Sequence, residues 1–270
     1  MCFGTTGTAQ ALGPDSTTPA TVGAVRIVVG AALLVVVARR VARPTTAARF
    51  SAATIVVGGA IAAYQVTFFA AVDRTGVGVG TVVAIGSAPL FTGVLGTVTA
   101  GERVGARWAR ATGLAVVGVV LLVLAGSSAR VDGIGVVLAL GAGLAYASLT
   151  VAAKRLVDAG QAPERVLAEG FVLAAVALSP TFFTGDAGWV VTPSGIALAL
   201  FLGTVPTALA YVLFARGLEH LPSPEVATLT LAEPLTAAAL GVVVVGERPG
   251  ALAWLGAALV LAGLRVAVVE

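Results

Sequence analysis

The sequence predicts an all-α integral membrane protein, and three observations support that prediction. Of 270 residues, 58% are hydrophobic and only 11% are charged, whereas soluble domains carry roughly 25% charged residues. Apolar segments follow one another with short polar breaks, and they have about the 20 residues that a helix needs to cross roughly 30 Å of hydrocarbon. Runs such as VVGVVLLVLAG do not alternate between apolar and polar residues, so a transmembrane β-barrel is excluded.

Nine candidate membrane spans can be placed along the chain. The segment before them, MCFGTTGTAQALGPDSTTP, is mildly apolar over its first dozen residues and ends in the turn signal Gly13, Pro14, Asp15. It is too short to cross a bilayer and lacks the basic start and long apolar core of a signal peptide. We interpret it as the tail of a truncated first helix, so that the intact protein would have ten spans. The nine spans are residues 21–38, 51–71, 77–99, 106–126, 132–153, 165–184, 194–215, 223–245 and 250–269.

The distribution of basic residues predicts an orientation in the membrane. Of the sixteen Lys and Arg residues, twelve fall on one side of the alternating loops, and three, Arg74, Arg130 and Arg248, fall on the other. Because cytoplasmic loops carry the excess of Lys and Arg, both termini are expected in the cytoplasm. The single lysine and the abundance of Ala, Val and Gly are typical of a GC-rich bacterial genome, so we expect the bacterial plasma membrane.

Composition also excludes several functional classes. The sequence pI of about 9.6 does not indicate nucleic-acid binding, since the arginines lie in loops where topology accounts for them. One cysteine, Cys2, cannot form an intramolecular disulfide or a cysteine metal cluster, and the one histidine, His220, lies at a predicted helix edge. The chain contains no GxxxxGK[ST] loop, which argues against ATP hydrolysis. We therefore expect no cofactor, no metal and no enzymatic activity.

A charged motif occurs twice. GERVG at 101–105 returns as GERPG at 246–250, an offset of 145 residues. Over residues 89–118, twelve of thirty positions are identical at this offset, whereas composition alone would give roughly three or four. We infer two repeats, residues 1–127 and 128–270. Five spans in each repeat would place the second copy upside down in the membrane, which is the inverted-repeat plan of secondary transporters.

The repeated motif has a structural interpretation, which we favour over a chemical role. Gly101 and Gly246 suit the left-handed residue that ends a helix, and the glutamate that follows each would lie ahead of the next helix, near its positive end. Pro249 suits a first helical turn. The repeat motif comprises Gly101, Glu102, Arg103, Gly246, Glu247 and Arg248, with Pro89 and Pro234 at matching positions upstream.

At these residues the chain resembles the EamA-type branch of the drug/metabolite transporter superfamily. The resemblance rests on two halves that each read AP or EP, then L, then GER and G, over residues 88–105 and 233–250, and on PATVGAVRIVVGAALL, in which Pro precedes Arg in the second helix. It covers nearly the whole chain. Members of this family export amino acids, other metabolites or toxic compounds, and some relatives carry sugars or nucleotide sugars. The resemblance therefore implies transport across a cell inner membrane.

Three ionisable residues lie inside predicted spans, where they are costly unless paired or hydrated and are therefore site candidates. Glu233 lies about eleven residues into its span, near the expected midplane, and the adjacent Pro234 would interrupt the backbone hydrogen bonding as in broken transporter helices. Glu233 could carry a proton or serve as a structural hydrogen-bonding group. Arg26 could bind a substrate carboxylate or extend to water. Glu169 could be a gate partner of a basic group or a carboxylate near a helix start.

Further polar side chains could line a cavity or bond to neighbouring helices. The stripe Ala139, Gly143, Ala147 is interpreted as packing alone. Candidates for substrate binding, besides Glu233 and Arg26, are Tyr64, Gln65, Tyr146, Thr207 and Tyr211; Ser148 is a further polar residue.

The sequence thus predicts a secondary transporter that exports a small metabolite such as an amino acid by alternating access. The lipid bilayer and a small-molecule substrate are the expected partners, protons are a candidate coupling ion, and a homodimer is one possible assembly. A non-transporting membrane scaffold and an integral-membrane enzyme are the alternatives. An enzyme would need converging His, Asp or Arg groups, and a scaffold has no use for an unpaired carboxylate at the midplane.

Overall fold

The computed structural model describes residues 2–14, 17–41, 51–124, 132–184, 187–246 and 248–268, and within these ranges all regular structure is helical. Seven helical segments in the described ranges are long and apolar enough to cross a membrane, so the chain is a multi-pass membrane protein. The α-helices are α1 (Thr6–Ala11), α2 (Pro19–Val41), α3 (Ala52–Ala100), α4 (Ala106–Leu124), α5 (Gly133–Asp158), α6 (Pro163–Leu178), α7 (Thr181–Thr184), α8 (Pro193–Gly203), α9 (Ala210–His220), α10 (Ser223–Leu229), α11 (Ala232–Leu240) and α12 (Ala251–Val268). Single 3₁₀ turns lie at Cys2–Thr5 and Gly188–Val191, and π-helical turns at Thr204–Leu209 and Gly241–Val245.

Short polar side chains fix where several helices begin. Ser51, Asp132 and Thr192 each precede a helix and accept a hydrogen bond from the backbone N–H three residues later, at 3.2, 2.7 and 3.1 Å. Each cap satisfies a donor that the helix leaves unpaired. The predicted starts at 51, 132 and 194 therefore each lie within one residue of the structural ones.

One predicted break between spans is present in the structure, and one predicted span is shorter than expected. α3 comprises two helical segments that meet at a kink at Gly76, where φ is 79° and ψ is 163°, so the break predicted between residues 71 and 77 is confirmed. Glycine adopts this positive-φ region without a Cβ clash, so the chain changes direction there. The predicted span 165–184 corresponds to α6, which has only 16 residues, followed by the single turn α7.

Helices α4 and α12 run antiparallel and pack through small residues. A methyl group at Gly118 would lie 2.6 Å from the carbonyl oxygen of Gly256, and one at Gly263 would lie 2.6 Å from that of Ala111. At the far end, Arg107 Nε and Nη2 donate to the carbonyls of Val266 and Ala267. The two backbones are therefore in direct contact, as small residues allow between membrane helices.

The main core lies between α2, α3, α5, α6 and α9. The predicted packing stripe is confirmed, since Ala139 and Ala147 are fully buried and Gly143 meets Ser87 Oγ and the Ala84 carbonyl of α3. The N-terminal turn Cys2–Thr5 packs on α11 and on the π-turn Thr204–Leu209. Asp15, Arg130 and Glu247, which the sequence analysis named, lie outside the described residues.

Candidate functional site

The helix that carries Glu233 is broken just before it. α10 ends at Leu229, α11 begins at Ala232, and the Thr230 carbonyl accepts from the Glu233 N–H at 2.9 Å. Pro234 has no N–H with which to continue the α-helical pattern to that carbonyl. The interruption expected from Pro234 is therefore confirmed, whereas Pro89, its counterpart at the offset of 145, lies in α3 without a break.

Arg26 lies on α2 and is held by a neutral partner. Its Nη2 donates to Gln65 Oε1 at 2.9 Å, and Gln65 Nε2 donates to the Gly23 carbonyl at 3.3 Å. Gln65 is buried and has thus used both ends of its amide. Arg26 Nε is buried and has no hydrogen-bond partner among the described residues, so part of the guanidinium has hydrogen-bonding capacity that these residues do not use.

The three predicted tyrosines meet in one aromatic cluster. Tyr64 faces Tyr146 with ring centroids 6.3 Å apart, and both Tyr146 and Tyr211 pack on Phe214, at 6.0 and 5.8 Å. Tyr146 also donates its hydroxyl to Thr230 Oγ1 at 3.4 Å, which ties the cluster to the helix break. The cluster is completed by Phe3 and Phe171 against Tyr211 and by Phe68 stacked on Tyr64.

Glu233 lies within electrostatic range of this cluster and of Arg26. Within the described part of the chain, no side-chain hydrogen bond is made by the Glu233 carboxylate or by the hydroxyls of Tyr64 and Tyr211. Glu233 is half-buried. The structure therefore brings together a carboxylate, a guanidinium and two hydroxyls with unused hydrogen-bonding capacity, and a ligand with polar groups of both signs would satisfy them.

One predicted site residue, Thr207, and the further polar residue Ser148 have their polar groups engaged elsewhere. Thr207 donates to the Leu202 carbonyl at 2.7 Å, a carbonyl that Pro206 cannot satisfy, and its methyl group packs on Gly30. Ser148 donates to the Leu144 carbonyl. Both contacts favour packing.

Glu169, the gate candidate, is bonded within its own helix. Arg165 Nε donates to its Oε1 at 2.8 Å, and both side chains are largely buried. Near the start of the same helix, Glu164 accepts from Arg216 Nε at 3.0 Å, a pair that the sequence did not indicate. The basic partner of Glu169 is thus one turn away on α6.

The GERVG motif makes a contact that the sequence did not predict. Gly101 ends α3 with φ 67°, and Gly246 has φ 80°, so the expected left-handed glycines are confirmed. Glu102 lies in the loop ahead of α4, as expected, but its carboxylate binds the start of a different helix. It accepts from the backbone N–H of Ser223 at 2.7 Å and from the Ser223 hydroxyl, at the start of α10. The carboxylate thus binds a partner 121 residues away in the sequence, which no local pattern indicates.

Comparison with known proteins identifies relatives along the whole chain. The model of the EamA-like transporter family matches residues 1–124 and 133–269. The chain is 40% identical over 265 residues to "Uncharacterized transporter YwfM" of Bacillus subtilis (strain 168), covering 98% of this chain and 89% of that protein. An "Uncharacterized transporter" of Archaeoglobus fulgidus is 29% identical over 203 residues, covering 74% and 70%. A crystal structure with 19% identity shares the fold, with a TM-score of 0.86 over 99% of this chain and 92% of that one.

Proposed function

The chain belongs to the EamA-like transporter family, and from this premise we propose that it exports a small metabolite such as an amino acid by alternating access between two inverted repeats. That it is a membrane transporter follows from the family and from its apolar helices. The direction, the class of cargo and the mechanism are the proposal. The observation that carries it is the cluster of polar groups with free hydrogen-bonding capacity contributed by both halves.

The contact between α4 and α12 supports the inverted repeat. Gly118 and Gly263 are 145 residues apart, as are Ala111 and Gly256, so the two contacts of this pair are equivalent under the sequence repeat. An antiparallel pair of equivalent helices is what an axis in the membrane plane produces. The proposed halves are residues 1–127 and 128–270, and the family model also matches in two stretches.

Arg26 is the proposed substrate anchor. Its buried Nε lacks a partner among the described residues, and its bond to Gln65 leaves the charge without an ion pair. A carboxylate is the group that best satisfies a guanidinium, because it accepts two parallel hydrogen bonds. Tyr64 and Tyr211 supply hydroxyls beside it, which suits a solute with several polar groups.

Glu233 is the proposed coupling residue. It stands at a helix break of the kind that transporters use near their binding sites. A carboxyl group in electrostatic range of a guanidinium can exchange a proton when a charged substrate arrives or leaves, since each charge alters the cost of the other. Protons as the coupling ion, a bacterial plasma-membrane location with both termini in the cytoplasm, and a possible homodimer complete the proposal.

The test is untargeted metabolite analysis of the medium from cells that overproduce the chain. We expect a compound to accumulate with the parent protein and not with Glu233→Gln at equal amounts in the membrane. Glu219→Gln, which changes an exposed glutamate at the end of α9, is the matched control and should export as the parent does. Equal export by the parent and by Glu233→Gln would refute the coupling role.

A further inference from the structure

Glu102 contacts a helix of the other half of the protein. Its Oε1 accepts from the Ser223 N–H at 2.7 Å and its Oε2 from the Ser223 hydroxyl. Ser223 is fully buried, and a Cβ at Gly96 would collide with the Glu102 carboxylate, so the fold leaves room for this group. Hydrogen bonds to an ionised acceptor are stronger than neutral ones. The contact is therefore a specific connection between the loop after α3 and the start of α10.

Two neighbouring contacts attach α10 to α4. Trp108 Nε1 donates to the Pro224 carbonyl at 3.1 Å, and the hydroxyls of Thr112 and Thr228 lie 2.8 Å apart. α10 has only seven residues, and a helix this short is not stable by itself. Its position therefore depends on its contacts with α3 and α4 of the first half and with α5, α9 and α12 of the second, and Glu102 makes the charged contact.

The position of α10 in turn sets the position of Glu233. The break at Thr230–Leu231 separates α10 from α11, and Glu233 follows it by two residues. Glu233 is ten residues beyond Ser223, or about 15 Å along a helix axis. On the other side of the break, α11 packs on the N-terminal turn Cys2–Thr5 and on α12. A shift or rotation of α10 would therefore move the carboxylate relative to Arg26 and the tyrosines.

We propose that Glu102 is a positioning residue for transport: by holding the start of α10 through Ser223, it fixes where Glu233 stands in the polar cluster. This inference rests on the proposed function of Glu233. The inference also gives the repeated motif a role beyond ending its own helix, because the motif of the first half fixes a helix of the second.

The experiment compares the full-length parent with Glu102→Gln and with Glu225→Gln as the matched control. Glu225 lies two residues after Ser223 and carries the same charge, but its side chain makes no hydrogen bond within the described ranges. Hydrogen exchange followed by mass spectrometry is measured for residues 221–240 in lipid nanodiscs. We expect Glu102→Gln to accelerate exchange of residues 223–233 by about tenfold, since charge-assisted bonds are lost, with α12 unchanged and Glu225→Gln within about twofold of the parent.

Export of the compound accumulated by the parent is the second measurement. Because Glu102 acts through Glu233 and not on the substrate, the maximal rate should fall about fivefold or more while the half-saturation concentration stays within about twofold. A change in the half-saturation concentration without a fall in the maximal rate, or exchange no faster than in Glu225→Gln, would overturn the inference.

The two proposals can fail separately. No export by the parent contradicts the proposed function, and exchange then still decides whether Glu102 holds the segment that carries Glu233. Normal export by Glu102→Gln with accelerated exchange contradicts the positioning role alone. If Glu102→Gln does not reach the membrane, Ser223→Ala replaces it; this variant removes only the hydroxyl donor and should accelerate exchange by about threefold. Unchanged exchange in Ser223→Ala would overturn the inference as well.

Discussion

The contact between α4 and α12 predicts a measurable cost for a single methyl group. In Gly118→Ala, the new Cβ would lie 2.6 Å from both the Gly256 carbonyl oxygen and the Val260 nitrogen. Both are backbone atoms, so they cannot rotate away. Relief to a normal contact of about 3.4 Å requires the helices to separate by about 0.8 Å, and overpacking of this kind costs about 1–3 kcal/mol.

A second glycine on the same helix provides the control. Gly113 is exposed and would have no atom within 4 Å of a new Cβ. Gly→Ala in a helix contributes about 0.5–1 kcal/mol of intrinsic stability at either position, so comparing the two variants cancels this contribution. The remaining overpacking cost of about 1–3 kcal/mol should lower the unfolding midpoint of Gly118→Ala by about 2–12 °C relative to Gly113→Ala, at about 2–4 °C per kcal/mol for a chain of this size.

The assay is thermal unfolding of purified protein in one detergent, followed by the loss of monodisperse protein on size exclusion. Gly263→Ala should behave like Gly118→Ala, because its new Cβ meets the Ala111 carbonyl at 2.6 Å. The double variant should cost less than the sum, since one separation of the helices relieves both contacts. A Gly118→Ala midpoint equal to that of Gly113→Ala would refute the direct backbone contact.

Three further outcomes are expected. Arg26→Gln should raise the half-saturation concentration for export about tenfold or more, because a two-pronged bond to a carboxylate is lost; initial rates in proteoliposomes measure this. Tyr146→Phe removes a 3.4 Å hydrogen bond to Thr230 and should destabilise the protein by no more than about 1 kcal/mol in thermal unfolding. Arg216→Ala leaves the buried Glu164 carboxylate without its 3.0 Å partner and should cost about 1–3 kcal/mol in the same assay.

Exposed arginines supply controls for two of these variants. Arg39→Gln changes a basic residue at the end of the helix that carries Arg26, and Arg155→Ala removes a basic side chain from α5. Neither should change half-saturation or stability measurably. Equal effects of Arg39→Gln and Arg26→Gln would contradict a substrate anchor at Arg26, and equal costs of Arg155→Ala and Arg216→Ala would contradict a structural pair with Glu164.

The helices were predictable because their physical cause is local. A membrane-crossing helix must satisfy its backbone internally and present apolar side chains over about 20 residues, so its signal lies in a contiguous stretch of sequence. The break before Glu233 was equally local, because Pro234 removes a donor wherever it stands. The kink at Gly76 within α3 was local as well, because a short polar stretch interrupts the apolar run there and glycine adopts the backbone conformation that the kink requires.

The contacts of the site were less predictable. Polarity within apolar spans indicated Arg26, Gln65 and Glu233 as candidates, because such groups need a partner or a ligand, but their proximity to one another was visible only in the structure. The bond of Glu102 to Ser223 joins residues 121 positions apart, and no periodicity encodes such a pair. Thr230 accepts from Tyr146 because of both the helix break before Glu233 and the orientation of the Tyr146 ring. Only the packed structure specifies these two features together.

The equivalent contacts of α4 and α12 have the form that two identical subunits make across a two-fold axis, where residue i meets j and j meets i. In a true homodimer every side chain occurs twice about that axis, so an acidic residue near the axis would face its own copy. Ionisation of both copies is unfavourable, because two like charges at close range repel each other. Covalent linkage of the halves removes that constraint. This chain carries Glu233 in one half and Ala88 at the matching position of the other, an asymmetry that a dimer of identical five-helix chains cannot reach by any single substitution.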